Sequence, residues 1–421
     1  MIAVKGDHVI KVKTIPLKVK EKASFGDRVR LSYKGAEIEG TFISHESGII
    51  TVKLKSGYNV ALSDDRAEYL SITPVKRSSE ERNGEREISN GVILLATGGT
   101  IASRVDYTTG AVKPHYDISS LLGDAEVREK LGTKVIDNIL SENVTPKKWI
   151  LMAEHTKKEL ERDNHVIILH GTDTMTYSAS ALSFMFEKQS GSIIFTGSQR
   201  SPDRPSSDAF ENIRSAISFS SLNVGEVSIC MHDSRSDLSE RLIRATRSRK
   251  MHTSRRDAIR DIDGGGLAGI RNGKVSILGE FRPTADETVL NAKLDDRVAL
   301  IYFYPGMEPG ILSRIAENKK ALVVMGTGLG HVSEAIVSEI REITRGGVHV
   351  VMTSQCLQGN VNLNIYSTGR ELKDAGVISA GDILPEVAFT KAMYVLANHG
   401  ENFGETMMKS LRGEISGRLL N

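Results

Sequence analysis

The sequence predicts an α/β protein: a two-domain, doubly wound parallel-sheet fold preceded by a small SH3-like β-barrel. Three observations predict it. From Gly91 onward, β-rich apolar runs alternate with helix-patterned stretches. Most of those runs lack a polar alternate, as strands covered on both faces do. Residues 26–72 differ, reading as short strands of alternating apolar and polar residues.

Residues 1–74 form the front module. GDRVRLSY, GAEIEGTFIS, GIITVKLKSG and NVALS are its strands, punctuated by Gly35, Gly40, Gly48 and Gly57. A flat sheet this small would leave its edges unpaired, which favours closure. Residues 75–90, VKRSSEERNGEREISN, are charged and poor in apolar side chains, and read as a linker. The first α/β domain is expected over 91–280. Its strands are VILLA (92–96), VIIL (166–169), SIIF (192–195) and EVSICM (226–231), and its helices 176–189 and 209–221. Residues 281–295 carry Pro283 and several charges, and read as a second linker. The second α/β domain is expected over 296–421. It holds the runs 299–304, 321–325 and 348–352 and a helix over 333–346.

The totals narrow the function. The 421 residues suit two or three domains. With 55 basic against 53 acidic residues, the formal charge of +2 gives no global pull on nucleic acid. Cys230 and Cys356 lie in or beside apolar runs, so two buried, reduced thiols are expected. No Cys and His spacing suggests zinc. The N-terminus does not read as a signal peptide, and no apolar stretch is long enough to span a membrane. A cytoplasmic protein is expected.

In open α/β sheets, ligands bind outside the carboxyl ends of the strands. Here those ends are Thr97-Gly98-Gly99-Thr100, His170-Gly171-Thr172-Asp173-Thr174-Met175, Thr196-Gly197-Ser198-Gln199-Arg200 and His232-Asp233. Glycine permits close backbone approach, and hydroxyls supply nucleophiles and short hydrogen bonds. No phosphate-binding loop signature is present; GIRNGK (269–274) has the wrong spacing. The Gly326-Thr327-Gly328-Leu329-Gly330-His331 loop reads as a glycine-rich strand–helix turn, its third glycine one place early for a dinucleotide fingerprint. Taken singly, each candidate has a plain structural reading. Thr100 is a strand-end turn residue, Thr172 and Asp173 cap the helix at 176, and Lys250 is a solvated charge in an arginine-rich run. His170 and His232 read as structural.

TGGTIA (97–102) followed by HGTDTM (170–175), each after an apolar run, resembles the paired signature of the bacterial-type L-asparaginase family. The match continues through Tyr107, Gly110, Ser141, Glu142, the TGSQR loop and Lys250 in RKMHT, over roughly 91–421. The resemblance implies Thr100 as the nucleophile that attacks a side-chain amide, assisted by Tyr107 on a closing loop. It implies Thr172, Asp173 and Lys250 as a second group, activating either that nucleophile or the water that cleaves the acyl-enzyme. Ser141 and Glu142 would hold the substrate's α-carboxylate and α-amine, with Asp173 also facing the amine. Backbone N–H groups of the glycine loops, Gly99 and Gly171 among them, would form the oxyanion hole. A hydroxyl needs a neighbouring base, and a lysine serves if burial lowers its pKa. No cofactor or metal is implied for this chain.

The strand-rich front module, with 199–216, 249–258 and 383–396, is similar to the D subunits of archaeal-type glutamyl-tRNA(Gln) amidotransferases. That likeness implies a glutaminase, part of a ligase that uses glutamine as amido donor. It hands ammonia to the E subunit, which uses ATP and Mg to activate glutamyl-tRNA(Gln). It also implies a homodimer through the asparaginase-like domains, an α2β2 assembly, and tRNA contact mainly through the partner. A stand-alone asparaginase or glutaminase and a non-enzymatic tRNA- or protein-binding scaffold are the alternatives. Where many free asparaginases receive a carboxylate from the neighbouring protomer, Asn364–Tyr366 offers none. The front module is either a docking barrel or a tRNA contact, and the basic run 235–256 is equally open.

Overall fold

The computed structural model describes residues 23–24, 27–54, 59–74, 87–99, 101, 103–106, 111–114, 131–202, 207–235 and 239–416. They fall into two compact units.

The first unit is an antiparallel sheet of β1 (Arg28–Tyr33), β2 (Ala36–Glu46), β3 (Ile49–Leu54), β4 (Asn59–Ser63) and β5 (Ala67–Thr73), in the order β4-β3-β2-β1-β5. The sequence alternation places one side chain in two inward. Val29, Leu31, Phe42, Ile50, Val52 and Leu62 form its apolar cluster. Gly40 permits the β2–β3 contact, because a Cβ there would lie 2.3 Å from the Lys53 carbonyl oxygen.

The second unit holds an eight-stranded mixed sheet and a four-stranded parallel one. The strands of the larger sheet are β6 (Val92–Gly98), β7 (Leu131–Ile139), β8 (His165–Leu169), β9 (Ile193–Thr196), β10 (Val227–His232), β11 (Ser239–Arg244), β14 (Ala268–Arg271) and β15 (Lys274–Ile277). Between β11 and β14 lies a separate hairpin, β12 (Ser248–Lys250) paired with β13 (Ile259–Asp261). The sheet order is β15-β14-β11-β10-β9-β8-β6-β7. Strands β7, β6, β8, β9 and β10 are parallel to one another, and β11, β14 and β15 continue antiparallel. The expected parallel sheet is thus extended by three antiparallel strands.

Its central strands are buried on both faces, and successive residues feed different cores. Ile93, Leu95, Val166, Ile168, Ile193 and Phe195 pack on one side. Leu94, Ala96, Ile167, Leu169 and Ile194 pack on the other. Helices α1 (Pro146–Leu160), α2 (Met175–Met185) and α3 (Ala209–Ser220) cover the faces. The helix expected over 176–189 ends at Met185, and Phe186–Lys188 becomes a short strand against Val289–Leu290.

The smaller sheet is β16 (Val298–Tyr302), β17 (Ala321–Gly326), β18 (His349–Ser354) and β19 (Ile378–Ser379), all parallel. The 326–331 loop joins β17 to helix α4 (Glu334–Arg345), a strand–helix turn. Helix α5 (Pro385–His399) packs on α2, so one apolar core runs through both sheets. Both cysteines are free, but only Cys230 is buried. Cys356 is exposed, contrary to expectation, because β18 ends at Ser354 and its loop has left the core.

Candidate active site

Strands β6 and β8 end side by side, and glycine lets their loops touch. Gly98 and Gly99 have φ of 112° and 80°, left-handed angles that side chains disfavour. A Cβ on Gly99 would lie 2.4 Å from the Gly171 nitrogen, and one on Gly171 would lie 2.7 Å from the Ser141 Cβ. Two backbone segments and the Ser141 side chain therefore meet with no room for a methyl group. Thr97 ties the two strand ends, its hydroxyl donating to the Leu169 carbonyl at 2.9 Å. Thr174 ties the second loop to the Ser141 segment, its hydroxyl donating to the Ser141 carbonyl at 2.6 Å.

Onto this floor the hairpin β12–β13 brings Lys250. Its ammonium donates to Thr172 Oγ1 at 2.8 Å and to Asp173 Oδ1 at 2.7 Å. Thr172 is buried, and the Lys250 side chain is 13% exposed against 68% for Asp173. The group is shut on the threonine side and open on the carboxylate side. Lys250 is thus not a solvated charge. Thr172 and Asp173 do not cap the helix either, since Thr174 occupies that position.

Ser141 and Glu142 lie on a single 3-10 turn, Ser141–Asn143, with Ser141 buried and Glu142 exposed. Thr100, directly after Gly99, lies outside the described residues. So does Tyr107, between the short strands Ser103–Asp106 and Ala111–Pro114. At Asn364–Tyr366 the Asn364 side chain accepts from Lys373 at 2.9 Å, and Tyr366 is exposed.

Supporting contacts had no signature in the sequence. Trp149 Nε1 donates to Ser178 Oγ at 2.9 Å, Ser178 donates to His170 Nε2 at 2.9 Å, and His170 Nδ1 donates to the Gly171 carbonyl at 2.7 Å. Burial holds His170 down at about 4, so the neutral ring keeps this tautomer. Just before Lys250 in the chain, Arg249 meets Glu386 of α5 at 3.2 Å, and buried Arg247 meets Asp263 at 2.8 Å and Asp382 at 3.0 Å. Burial, followed by the Glu386 charge, pushes nearby Tyr177 up to about 12. Among the described residues no group of three His, Cys, Asp or Glu could hold a metal ion, and no helix could cross a membrane.

This arrangement can do chemistry on a carbonyl. It offers a close-packed backbone floor, a hydroxyl bonded to an ammonium, and a carboxylate facing the open side. Comparison with known proteins points the same way. Residues 91–282 match the family model for the asparaginase N-terminal domain, and 297–405 that for the glutaminase/asparaginase C-terminal domain. Among solved structures, the thermostable L-asparaginase from Thermococcus kodakarensis is 30% identical with a TM-score of 0.71, covering 78% of this chain and 100% of that one. L-asparaginase I from Vibrio cholerae is 27% identical with a TM-score of 0.67 over the same shares. The D subunit of glutamyl-tRNA(Gln) amidotransferase from Thermoplasma volcanium is 46% identical over 93% of this chain and 98% of its own length. That of Saccharolobus solfataricus is 41% identical over 93% of both. With these relatives matched over nearly their whole length, the chain belongs to the glutaminase/asparaginase family, among the D subunits of glutamyl-tRNA(Gln) amidotransferases.

Proposed function

We propose that this chain is the ammonia-supplying glutaminase of a tRNA-dependent amidotransferase. The carrying observation is the Lys250–Thr172–Asp173 group, set beside the interlocked Gly99 and Gly171 backbones. The Thr100 hydroxyl attacks the side-chain carbonyl of L-glutamine. A C–O bond forms, the C–N bond breaks, and the nitrogen leaves as ammonia after gaining a proton. Water then cleaves the ester, releasing glutamate and restoring the hydroxyl. Backbone N–H groups of the glycine loops stabilise the oxyanion, since fixed donors need no reorganisation. Lys250 and Thr172 handle the proton, and Asp173 orients the ammonium. Ser141 and Glu142 bind the α-carboxylate and α-amine, and Tyr107 closes over the pocket.

Ammonia passes to the E subunit, an ATP- and Mg-using partner that converts glutamyl-tRNA(Gln) to glutaminyl-tRNA(Gln) in the cytoplasm. Two copies of each chain form the assembly, with this chain dimerising through its asparaginase-like domains and tRNA held mainly by the partner. Co-purification followed by a glutaminase assay tests the reading. Turnover should rise when the partner and charged tRNA are present. Brisk turnover indifferent to both would make the chain a stand-alone amidohydrolase. Thr100→Val should abolish hydrolysis, and unchanged activity would remove the mechanism.

A further inference from the structure

We propose that His232, acting through Asn212, is a positioning residue. It fixes the amide that holds the Gly197 carbonyl, and thereby the backbone wall on which Thr172 rests. The inference builds on the role given above to Thr172 and Lys250.

The loop after β9 begins at Gly197. A Cβ built there would lie 2.5 Å from the His170 carbonyl oxygen and 3.0 Å from Thr172 Cγ2. The Gly197 backbone thus backs the Thr172 methyl group without slack. What holds it is Asn212, fully buried on α3, whose Nδ2 donates to the Gly197 carbonyl at 2.9 Å and to Asp208 Oδ2 at 3.2 Å. The Asp208 carboxylate also accepts from the Gln199 nitrogen at 3.0 Å and the Arg200 nitrogen at 3.1 Å. The first turn of α3 therefore grips the loop at residues 197, 199 and 200.

Bond direction assigns the rest. A carbonyl only accepts, so Asn212 must turn its NH2 toward Gly197. Its Oδ1 then faces His232 Nδ1 at 2.6 Å, and that nitrogen must carry the proton. The neutral ring does so: burial and the Arg256 charge hold His232 down at about 4, with Asp257 opposing. From β11, Glu240 Oε1 stands 3.9 Å from His232 Nε2, while Ser215 of α3 donates to Glu240 Oε2 at 3.0 Å. Without the Nδ1 donor, Asn212 Oδ1 is a buried acceptor lacking its partner. Flipping the amide would set that oxygen against the Gly197 carbonyl and the Asp208 carboxylate. Either outcome loosens the wall behind Thr172.

Two variants read this out in the full chain with its amidotransferase partner. His232→Asn places an amide nitrogen near the former Nδ1 and keeps the donor; His232→Leu keeps bulk and loses it. His232→Leu should lower kcat for glutamine about tenfold with KM within about twofold, because the groups assigned to the α-carboxylate and α-amine are untouched. His232→Asn should stay within about threefold of the parent. A leucine variant that turns over like the parent would overturn the proposal, as would an asparagine variant that falls equally far. Melting curves establish folding; should His232→Leu not fold, His232→Gln takes its place, its amide lying farther out than Nδ1. Lys250→Met, run alongside, separates the two readings. Retained activity there sinks the site assignment, whereas a His232→Leu that turns over like the parent beside an inactive Lys250→Met sinks only the positioning role.

Discussion

Two lysine–carboxylate pairs in this molecule have the same length and opposite settings. Lys391–Glu414 and Lys250–Asp173 each measure 2.7 Å. Both partners of the first are 0% exposed, whereas Asp173 is 68% exposed. Lys391 also donates to the Met407 carbonyl at 2.8 Å and the Lys409 carbonyl at 2.5 Å. Glu414 in turn accepts from the backbone nitrogens of Leu411 and Arg412. Burial lowers the Lys391 pKa and Glu414 opposes that shift, so the network is what makes a buried ammonium tolerable. Such a pair staples the tail to α5 and has no free valence for chemistry. The Lys250 pair is worth little to stability, since its carboxylate is solvated. Its ammonium instead lies on a buried hydroxyl, where a proton can move. Distance alone distinguishes nothing here; completeness of the surrounding bonds does.

The sharpest way to break this contrast is Lys250→Met. Glutamine hydrolysis should fall roughly 10²–10⁴-fold, while the melting temperature stays near that of the parent. A large drop in melting temperature would make Lys250 a structural residue like Lys391. Next comes Lys391→Met, which strands a buried carboxylate and should cost about 3–5 kcal/mol in denaturant unfolding. Lys391→Met with Glu414→Leu should recover much of that loss, and failure to recover would show that the pair's bonds to the backbone carbonyls and nitrogens dominate. Gly171→Ala tests the open site from its other side. The added methyl has 2.7 Å to the Ser141 Cβ, so the loops must part, at a cost of about 10²-fold in turnover.

The smallest effect concerns pH. Burial raises Glu240 from 4.5 to about 7, so its contribution to stability is full below its unfolded value and is lost as pH rises through 7. His170 and His232 are depressed from 6.5 to about 4. Their contributions are present above 6.5 and are lost as pH falls toward 4. Below 6.5 the two histidines outweigh Glu240, and above it the Glu240 decline toward 7 remains. Glu240→Gln should flatten the decline on the neutral side in unfolding midpoints taken from about pH 5 to 8. An unchanged decline would assign it to other groups.

The central strands were legible because an apolar run without polar alternates has few places to go other than a sheet covered on both faces. VILLA, VIIL and SIIF fall within two residues of β6, β8 and β9 at either end. Strand β7 and the antiparallel β11, β14 and β15 were not anticipated. Their residues are partly exposed or charged, as in Lys274–Ile277, and only the neighbouring strand makes them strands. The 281–295 break hid a short strand, Val289–Leu290, for the same reason. The exposure of Cys356 followed from where β18 stops, which its apolar neighbours did not reveal.

By itself, the sequence determined the α/β class, the glycine–hydroxyl loops at the strand ends and the kinship those loops carry, because each depends on short-range pattern. Only the tertiary structure decided that Lys250, in a run of arginines, leaves solvent to bond Thr172 and Asp173. It also decided that His232 and Asn212, 20 residues apart, share a proton behind that group. A side chain's partner is set by the path of the whole backbone, and a pattern read along one segment carries no information about what another segment brings to meet it.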